Sequence, residues 1–426
     1  MKTLLAAIQW MAFMIAGTIV APIAVADLFQ LSPVETSDFV QRTIFVLGAS
    51  TFLQALFGHR LPINEGPAGL WWGVFAIYAS LGTAMFTSKF ETLQALQGAM
   101  IISGLVFFGL SLFKLVEKLA SLFTPVVSGI YLLLLILQLS KSFLNGMFGI
   151  GYRQAGLDLP IAGFSIAMVL MTFYLSRHKI RWISQYSILI SLAAGWIAFY
   201  LFGLAKPYAV HSQGLIKLPE LFTFGKPIFH PGLILTSVFI TLLLVTNMLA
   251  SIRVTGEVLK QKGEEAVTDR YRAGGFVAGI NQLLGGVFSA IGSVPISGAA
   301  GFIATTGFTK VLPILVSSVL IMGASLNPTL MSFIASLPAP VGYSVTFVIF
   351  ANMVGIAFSE FDREEDKQRT RLVIGVSILT GAGAMFVSST AFNDVSPILT
   401  SVLNNGLILG TLIAIFTDQL TMKNKR

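Results

Sequence analysis

The sequence predicts an all-α polytopic membrane protein with fourteen transmembrane spans, arranged as a seven-plus-seven inverted repeat. Three observations support this fold class. Of the 426 residues, 55% are hydrophobic and only 11% are charged, whereas about a quarter of the residues of a soluble domain are charged. The basic residues separate by side when the spans are counted, and two interrupted spans stand at corresponding places. The composition excludes a soluble enzyme and a disordered chain.

Apolar runs bounded by charges, Gly or Pro define the spans, at about 20 residues per crossing. The first repeat occupies residues 1–203 and the second occupies residues 231–417. The spans of the first repeat are predicted at 4–26, 41–57, 62–86, 93–113, 123–140, 159–176 and 183–203. Those of the second are predicted at 231–255, 271–290, 295–308, 310–334, 339–358, 370–389 and 397–417.

The charge distribution predicts the orientation of these spans. With fourteen spans, 20 Lys and Arg residues lie on one side and 7 on the other, which accounts for all 27. Because basic residues stay in the cytoplasm, we expect a multi-pass protein of the cell (plasma or inner) membrane, in contact with lipid, with both termini cytoplasmic. The net charge of +8 therefore reflects topology, and no nucleic-acid partner is expected.

The residue inventory offers little support for an enzyme or a cofactor protein. Cysteine is absent, so thiolate metal sites are excluded. The four histidines have no metal-ligand spacing; they are His59, His178, His211 and His230. No nucleotide-binding motif or hydrolase motif is recognisable. We therefore expect no enzymatic activity, no metal and no cofactor.

Two interrupted spans indicate the inverted repeat. Span three opens with Pro62 to Gly69 (PINEGPAG) and span ten with Pro295 to Gly301 (PISGAAG). Both contain a Pro-Ile step, a short polar step and then Gly. A second pair of similar segments precedes spans five and twelve, at Thr124 to Gly129 and at Ala339 to Gly342. An odd number of spans in each half makes such repeats inverted in the membrane.

These interruptions also predict where a ligand binds. Pro removes an amide donor and Gly permits non-helical backbone, which survives at membrane depth only inside protein or beside a water-filled cavity. Half-helices starting near Gly66 and Gly298 would direct amide groups and positive dipole ends at the midplane. The alternative is that these small residues line tight helix crossings. The paired occurrence of the breaks favours a transporter site.

Few polar residues lie within the spans. Glu65, at the first break, is interpreted either as a hydrogen-bond acceptor for a polar substrate or as a proton carrier. Alternatively, span three starts later and Glu65 lies in a wet loop beside His59 and Arg60. Gln9 and Asn247 can contact substrate or form interhelical hydrogen bonds.

Five further polar or aromatic residues come close to the breaks in sequence. Ser297, in the second break, is a candidate for substrate contact. Asn281 and Gln282 are interpreted as structural. The pair Trp71-Trp72 can stack on a flat ring or pack in the core.

Several short segments resemble the nucleobase–ascorbate transporter family, which includes bacterial uracil and xanthine permeases. They cover nearly the whole chain, and their order and spacing carry the resemblance. The segments are Gln9-Trp10 with Gly17-Thr18 and Pro22, Leu61 to Gly69, Gly292 to Pro295, and Leu337 to Gly342.

The resemblance implies a core domain from spans 1–4 and 8–11 and a gate domain from spans 5–7 and 12–14. Spans 3 and 10 would each be a short strand followed by a half-helix. The implied activity is proton- or sodium-coupled symport of a nucleobase, purine- or xanthine-like or uracil, and a homodimer through the gate is expected. The base is expected to face residues of spans one, three, eight and ten. The candidate substrate-binding residues are Gly17, Glu65, Ala68, Gly69, Asn247, Ser297, Gly298 and Ala299, with Gln9 supporting them.

The sequence departs from the family pattern at its carboxylates. The family's His after Gln is Trp10 here, its span-eight Glu corresponds to Asn247, and its acidic residue in the second break has no counterpart. We hypothesise that Glu65 takes over their role. An anion transporter of the related sulfate-permease architecture is the main alternative, although a carboxylate beside an anion costs Coulomb energy. A non-transporting membrane sensor is a third alternative.

Overall fold

The computed structural model describes residues 2–122, 124–180, 183–184, 187–205, 214–264, 270–387, 391, 399, 403 and 406–423. Within these residues, seven helices are long and apolar enough to cross a membrane, or eight if one bent pair is a single span. Every one of the fourteen predicted intervals contains a helix, but several helices are short, so the count of fourteen stays a prediction. His211 and the start of predicted span fourteen lie outside the described residues.

The first half of the chain contains nine helices and one strand among the described residues. They are α1 (Lys2–Thr18), α2 (Val20–Leu28), α3 (Pro33–Leu56), β1 (Glu65–Pro67), α4 (Gly69–Met85), α5 (Lys89–Leu112), α6 (Leu115–Ala120), α7 (Pro125–Met147), α8 (Leu159–Ser176) and α9 (Ser187–Leu201). The apolar segment predicted as span one is a single candidate span, Thr3–Leu28, in which a bend at Ile19 separates α1 from α2.

The second half of the described chain contains eight helices and one strand. They are α10 (Pro231–Gln261), α11 (Tyr271–Val287), β2 (Ser293–Pro295), α12 (Gly298–Thr306), α13 (Val311–Ser325), α14 (Pro328–Ala335), α15 (Ala339–Asp362), α16 (Lys367–Phe386) and α17 (Gly406–Lys423). Strands were expected at both predicted breaks, and the structure has them there.

Local sequence determines where the helices begin. Ser32 caps α3 in a reciprocal arrangement with Glu35, and a proline occupies the first turn of the same helix; such caps satisfy amide groups that lack intrahelical partners. Thr124 caps α7 and Asp158 caps α8, again with proline in the first turn. Proline is favoured there because its missing N–H would be unpaired in any case.

The predicted span over 310–334 is not one straight helix. The helix α13 ends at Ser325, and α14 starts at Pro328 with its axis turned by 92°. Asn327 accepts the N–H of Leu330 and so caps the second helix. Pro328 has no N–H to continue the first helix, which accounts for the break. The sequence predicted a continuous span because the hydrophobic run extends across this break.

The helices pack in two groups. In one group α3 and α5 both contact α11, α13 contacts α1 and α3, and α10 contacts α5, α12 and β2. In the other group α7 packs on α15, α16 and α17, and α8 packs on α9 and α15. Contacts between the groups include α2 with α15, α1 with α9 and α4 with α7.

Candidate substrate site at the paired strands

The two breaks meet as an antiparallel pair of short strands. Glu65 is opposite Pro295, Gly66 opposite Val294 and Pro67 opposite Ser293. The pairing continues beyond the strands, because Ala68 N–H donates to the Gly292 carbonyl and Ile296 N–H to the Asn64 carbonyl, both at 2.9 Å.

The pairing corrects one detail of the predicted repeat. Pro295 is the last residue of its strand, and the proline at the same place in β1 is Pro67. Pro62, which the repeated Pro-Ile step equated with Pro295, comes three residues before the strand. The two Pro-Ile steps are therefore not structurally equivalent.

A half-helix follows each strand. The helix α4 starts at Gly69, directly after the buried Ala68, and α12 starts at Gly298. Ser297 precedes α12, is half-buried and makes no capping hydrogen bond with its side chain. The first amide groups of a helix have no intrahelical partner and carry partial positive charge. The Ser297 hydroxyl and the first turn of α12 can therefore serve a ligand.

Open space lies in front of α1 and α12. Gly17 is exposed, and a Cβ atom added to it would have no neighbour within 4 Å in the described part of the chain. A Cβ on the exposed Gly298 would meet only Ile296 at 3.4 Å and Phe13 at 3.8 Å. Ala299 is buried behind this surface. The backbone at both glycines is thus accessible to close approach.

Aromatic side chains flank the second half-helix. The rings of Phe13 and Phe302 stack with centroids 4.6 Å apart, and Trp10 lies 4.4 Å from Phe302. Sequence reasoning missed Phe13 and Phe302 as neighbours of the site. Their helical spacing, three residues after Trp10 and four after Gly298, is the signal that places them on the same faces.

Asn247 is connected to the second break by a neighbouring side chain, Ser251. It is half-buried on α10, and its Oδ1 lies 3.5 Å from the hydroxyl of Ser251, one turn further along. That hydroxyl donates to the Pro295 carbonyl at 2.8 Å. Ser251 was not predicted from the sequence, although the four-residue spacing from Asn247 indicates a shared helix face. The Oε1 atom of Gln9 on α1 is buried and has no hydrogen-bond partner among the described residues.

Glu65 lies inside the protein and not in a wet loop. Its side chain is 1% exposed, and its backbone N–H donates to Thr51 Oγ1 at 2.9 Å. The side chains of Ser293 on β2 and Asn281 on α11 are the hydrogen-bonding groups near its carboxyl group. Among the described residues, none is in hydrogen-bonding geometry with its Oε1 atom. The side chains beside the Glu65 carboxyl group thus come from α11 and β2, whereas the side-chain neighbour of Asn247 comes from α10.

His59 belongs to a separate, buried turn. Its Nδ1 accepts the N–H of Leu61 at 3.0 Å. Burial, with a smaller contribution from the charge of Arg270, lowers the pKa of His59 to about 3. His59 is therefore neutral at physiological pH and holds a turn. It does not supply a charge to the strand pair.

A polar clamp connects the first half-helix to the second strand. Trp71 Nε1 donates to Gln282 Oε1 at 2.7 Å, and Gln282 Nε2 donates to the Ser293 carbonyl at 2.6 Å. Trp71 is fully buried, and its indole N–H is used in the hydrogen bond to Gln282. Trp72 lies 6.4 Å from the ring of Tyr343 on α15, in the other helix group. The interpretation of Gln282 as structural agrees with these contacts.

Comparison with protein families and relatives gives a consistent result. A family model described as the permease family (Xan_ur_permease) matches residues 1–390. A Bacillus subtilis (strain 168) protein with the name "Putative purine permease YwdJ" is 47% identical over 429 residues, covering 100% of this chain and 97% of that protein. The xanthine permease of the same strain is 26% identical over 421 residues, covering 97% and 92%. The uric acid permease PucK, also of that strain, is 25% identical over 430 residues, covering 97% and 94%.

Solved structures with a similar fold come from other transporters. The transmembrane domain of a cyanobacterium bicarbonate transporter, BicA, matches with a TM-score of 0.60 at 15% identity, covering 98% of this chain and 96% of that one. SLC26A9 matches with a TM-score of 0.63 at 11% identity, covering 98% of this chain and 65% of that one. At these identities the likeness concerns the fold alone.

Proposed function

Because the chain belongs to the permease family whose model matches residues 1–390, we propose that it is a transporter of nucleobases, with a purine as substrate ahead of uracil. The observation that carries the proposal is the full-length similarity to a relative named as a purine permease. Relatives named for xanthine and uric acid support the same substrate class. The chain is a membrane permease and not an enzyme.

The proposed architecture has fourteen spans in the cell membrane, with both termini cytoplasmic. The core domain comprises α1–α6 and α10–α14 with the two strands, and the gate domain comprises the other helices. The two packing groups support this division. The antiparallel strand pair supports an inverted repeat, as do the prolines in the first turns of α7 and α15. Transport would then be rocking of one domain against the other around a fixed site, driven by a proton or sodium gradient, in a homodimer.

We place the base between α1, the two half-helices and α10. Glycine at positions 17, 69 and 298 and alanine at positions 68 and 299 allow close approach to the backbone. Ser297 and Asn247 can hydrogen-bond to the edge of a base, since a hydroxyl and an amide both donate and accept. The aromatic rings beside α12 suit a flat ligand. Gln9 supports this face from α1.

The anion alternative is not favoured. The fold is shared with a bicarbonate transporter and with SLC26A9, but at 15% identity or less that likeness shows only the architecture. The three relatives described above are similar over nearly the whole chain and are named for a purine, uric acid and xanthine. A carboxyl group at the first break also disfavours an anion, because like charges repel strongly in a low dielectric.

A thermal-shift panel on the purified protein tests this proposal. Ligand binding stabilises the folded state by mass action, so xanthine, uric acid or another purine should raise the Tm, while sulfate and bicarbonate should not. Asn247→Ala should reduce the purine shift. Thr246→Ala is the matched control, because the Thr246 hydroxyl donates to the Leu242 carbonyl within the same helix. A shift with oxyanions alone contradicts the proposal, and a panel without any shift favours a sensor.

A further inference from the structure

We propose that the proton coupled to transport is carried by the Glu65 carboxyl group, with the neighbouring side chains of Ser293 and Asn281 able to accept from its protonated form and donate to its ionised form. This inference rests on the proposed function, since it assigns the coupling ion of that symporter. It differs from a role for Glu65 as a substrate ligand, because the groups around its carboxyl come from β2 and α11.

Among the residues that the structure describes, no opposite charge pairs with the Glu65 carboxyl group. Its neighbours among the described residues are neutral: Thr51 from α3, Ser293 from β2, and Asn281 from α11. The helix α1, which also packs on β1, has Lys2 as its only charged residue, at its first position.

The basic residues nearest to Glu65 along the chain do not neutralise its carboxylate either. His59 is neutral, as described above, and the exposed Arg60 donates to the Leu56 carbonyl. An uncompensated carboxylate at membrane depth is costly. A cation must therefore neutralise it in at least one state of the transport cycle.

The partners suit a group that gains and loses a proton. The Ser293 and Asn281 side chains are 2% and 0% exposed, and Ser293 Oγ and Asn281 Oδ1 are buried without hydrogen-bond partners. Either oxygen can accept from a protonated Glu65. When the proton leaves, the hydroxyl and the amide can donate to the carboxylate.

A proton needs one carboxyl oxygen and one acceptor, and the described residues supply both. Glu65 Oε1 has no hydrogen-bond partner among them, and Ser293 Oγ and Asn281 Oδ1 lack partners as well. Replacing sodium with choline in a transport assay distinguishes a proton from a metal cation at this carboxyl group.

Short connections lead from Glu65 to the proposed base site. Glu65 is opposite Pro295 in the strand pair, and the Pro295 carbonyl accepts from Ser251, which neighbours Asn247. Two residues after Pro295, the chain reaches Ser297 and α12. Protonation of Glu65 changes the hydrogen bonding of Ser293 on β2, the strand that positions this half-helix. Binding of the proton and of the base are then coupled reciprocally.

Glu65→Gln in proteoliposomes tests the proposal. In the wild type, an acidic exterior should drive purine accumulation, and replacing external sodium with choline should leave it unchanged. In Glu65→Gln the uptake driven by the pH gradient should fall at least about tenfold, because a side-chain amide neither takes up nor releases a proton near neutral pH. It should keep exchange against internal purine and the purine-induced Tm shift. The matched control is Glu220→Gln, at an exposed carboxyl between α9 and α10, which should behave as wild type.

Ser293→Ala and Asn281→Ala keep the carboxyl group and make the test independent of whether Glu65→Gln folds. Both should shift the external pH of half-maximal uptake by a measurable fraction of a pH unit or more. If neither variant shifts this pH, the proposal is wrong. It is also wrong if the Glu65→Gln protein still accumulates purine on a pH gradient, or if the wild type needs sodium.

Two other outcomes separate the proposal from the proposed function. If Glu65→Gln folds but loses exchange and the purine Tm shift together, Glu65 contacts the base, and the proton assignment is wrong while purine transport stands. If the wild type neither binds nor moves purines, the proposed function fails and the proton assignment falls with it.

Discussion

Replacing Gly298 with alanine should weaken substrate binding without harming the fold. Gly298 is the first residue of α12 and faces open space. An added Cβ would lie 3.4 Å from Ile296 Cγ2 and 3.8 Å from Phe13 Cζ, which are ordinary van der Waals contacts. The protein itself therefore accommodates the methyl group, and a base that lies against this backbone does not.

The magnitude follows from packing energetics. Inserting a methyl group into a well-packed contact costs about 1–3 kcal/mol, and each 1.4 kcal/mol is tenfold in affinity. The apparent Kd for the purine should thus rise by roughly 5- to 150-fold. The free energy of unfolding should change little or rise, because alanine is a better helix former than glycine by about 1 kcal/mol.

The assay combines purine titration with thermal unfolding of the purified protein. Gly163→Ala on α8 is the control, since Gly163 also has nothing within 4 Å of an added Cβ and α8 packs on α7, α9 and α15. It should keep wild-type affinity. Unchanged affinity in Gly298→Ala refutes the placement of the base against α12. A lowered Tm of Gly298→Ala would show that the added methyl group collides with the protein itself.

Three further predictions concern packing and charge. Gly104→Ala should lower the free energy of unfolding by about 1–3 kcal/mol, because the added Cβ would lie 2.8 Å from a backbone oxygen of α11. Gly109→Ala on the same helix is the control, since its Cβ would meet no described atom within 4 Å. Thermal unfolding compares the two variants. Ser251→Ala leaves the last carbonyl of β2 unpaired, so it should cost about 1–3 kcal/mol and lower the Tm with purine absent. The Arg153 guanidinium holds the pKa of Asp158 below its ordinary value, so the stability that this carboxylate contributes is present at neutral pH and is lost as the pH falls through the lowered pKa. The Tm difference between wild type and Asp158→Asn should therefore be seen near pH 7 and shrink as the pH falls below the ordinary aspartate pKa of about 3.9.

The sequence was most informative where local chemistry decides the backbone. Hydrophobic runs located a helix in every predicted interval, and the Pro and Gly residues located both breaks, where the family resemblance implied the strands that the structure has. The bend after Ser325 was missed because Pro328 follows only a short polar step, which hydropathy averages over. Pro62 was matched to Pro295 because both precede isoleucine, but strand position depends on pairing, which a local motif does not contain.

The candidate site was predictable only in outline. Which residues meet Glu65 depends on the pairing of β1 with β2 and on α11, more than 200 residues away along the chain. Trp71 looked suited to stacking, but its indole N–H is used by Gln282. Phe302 carries no polar atom and resembles any core residue in sequence. Such contacts follow from tertiary packing, which single-sequence patterns do not specify.

Purine uptake into proteoliposomes tests the central claim most directly. Purified protein should accumulate labelled xanthine or another purine saturably on an imposed ion gradient, and unlabelled purines should compete while sulfate and bicarbonate should not. Empty liposomes measure passive entry. Transport of an oxyanion without any purine uptake would contradict the assignment of this permease to nucleobases.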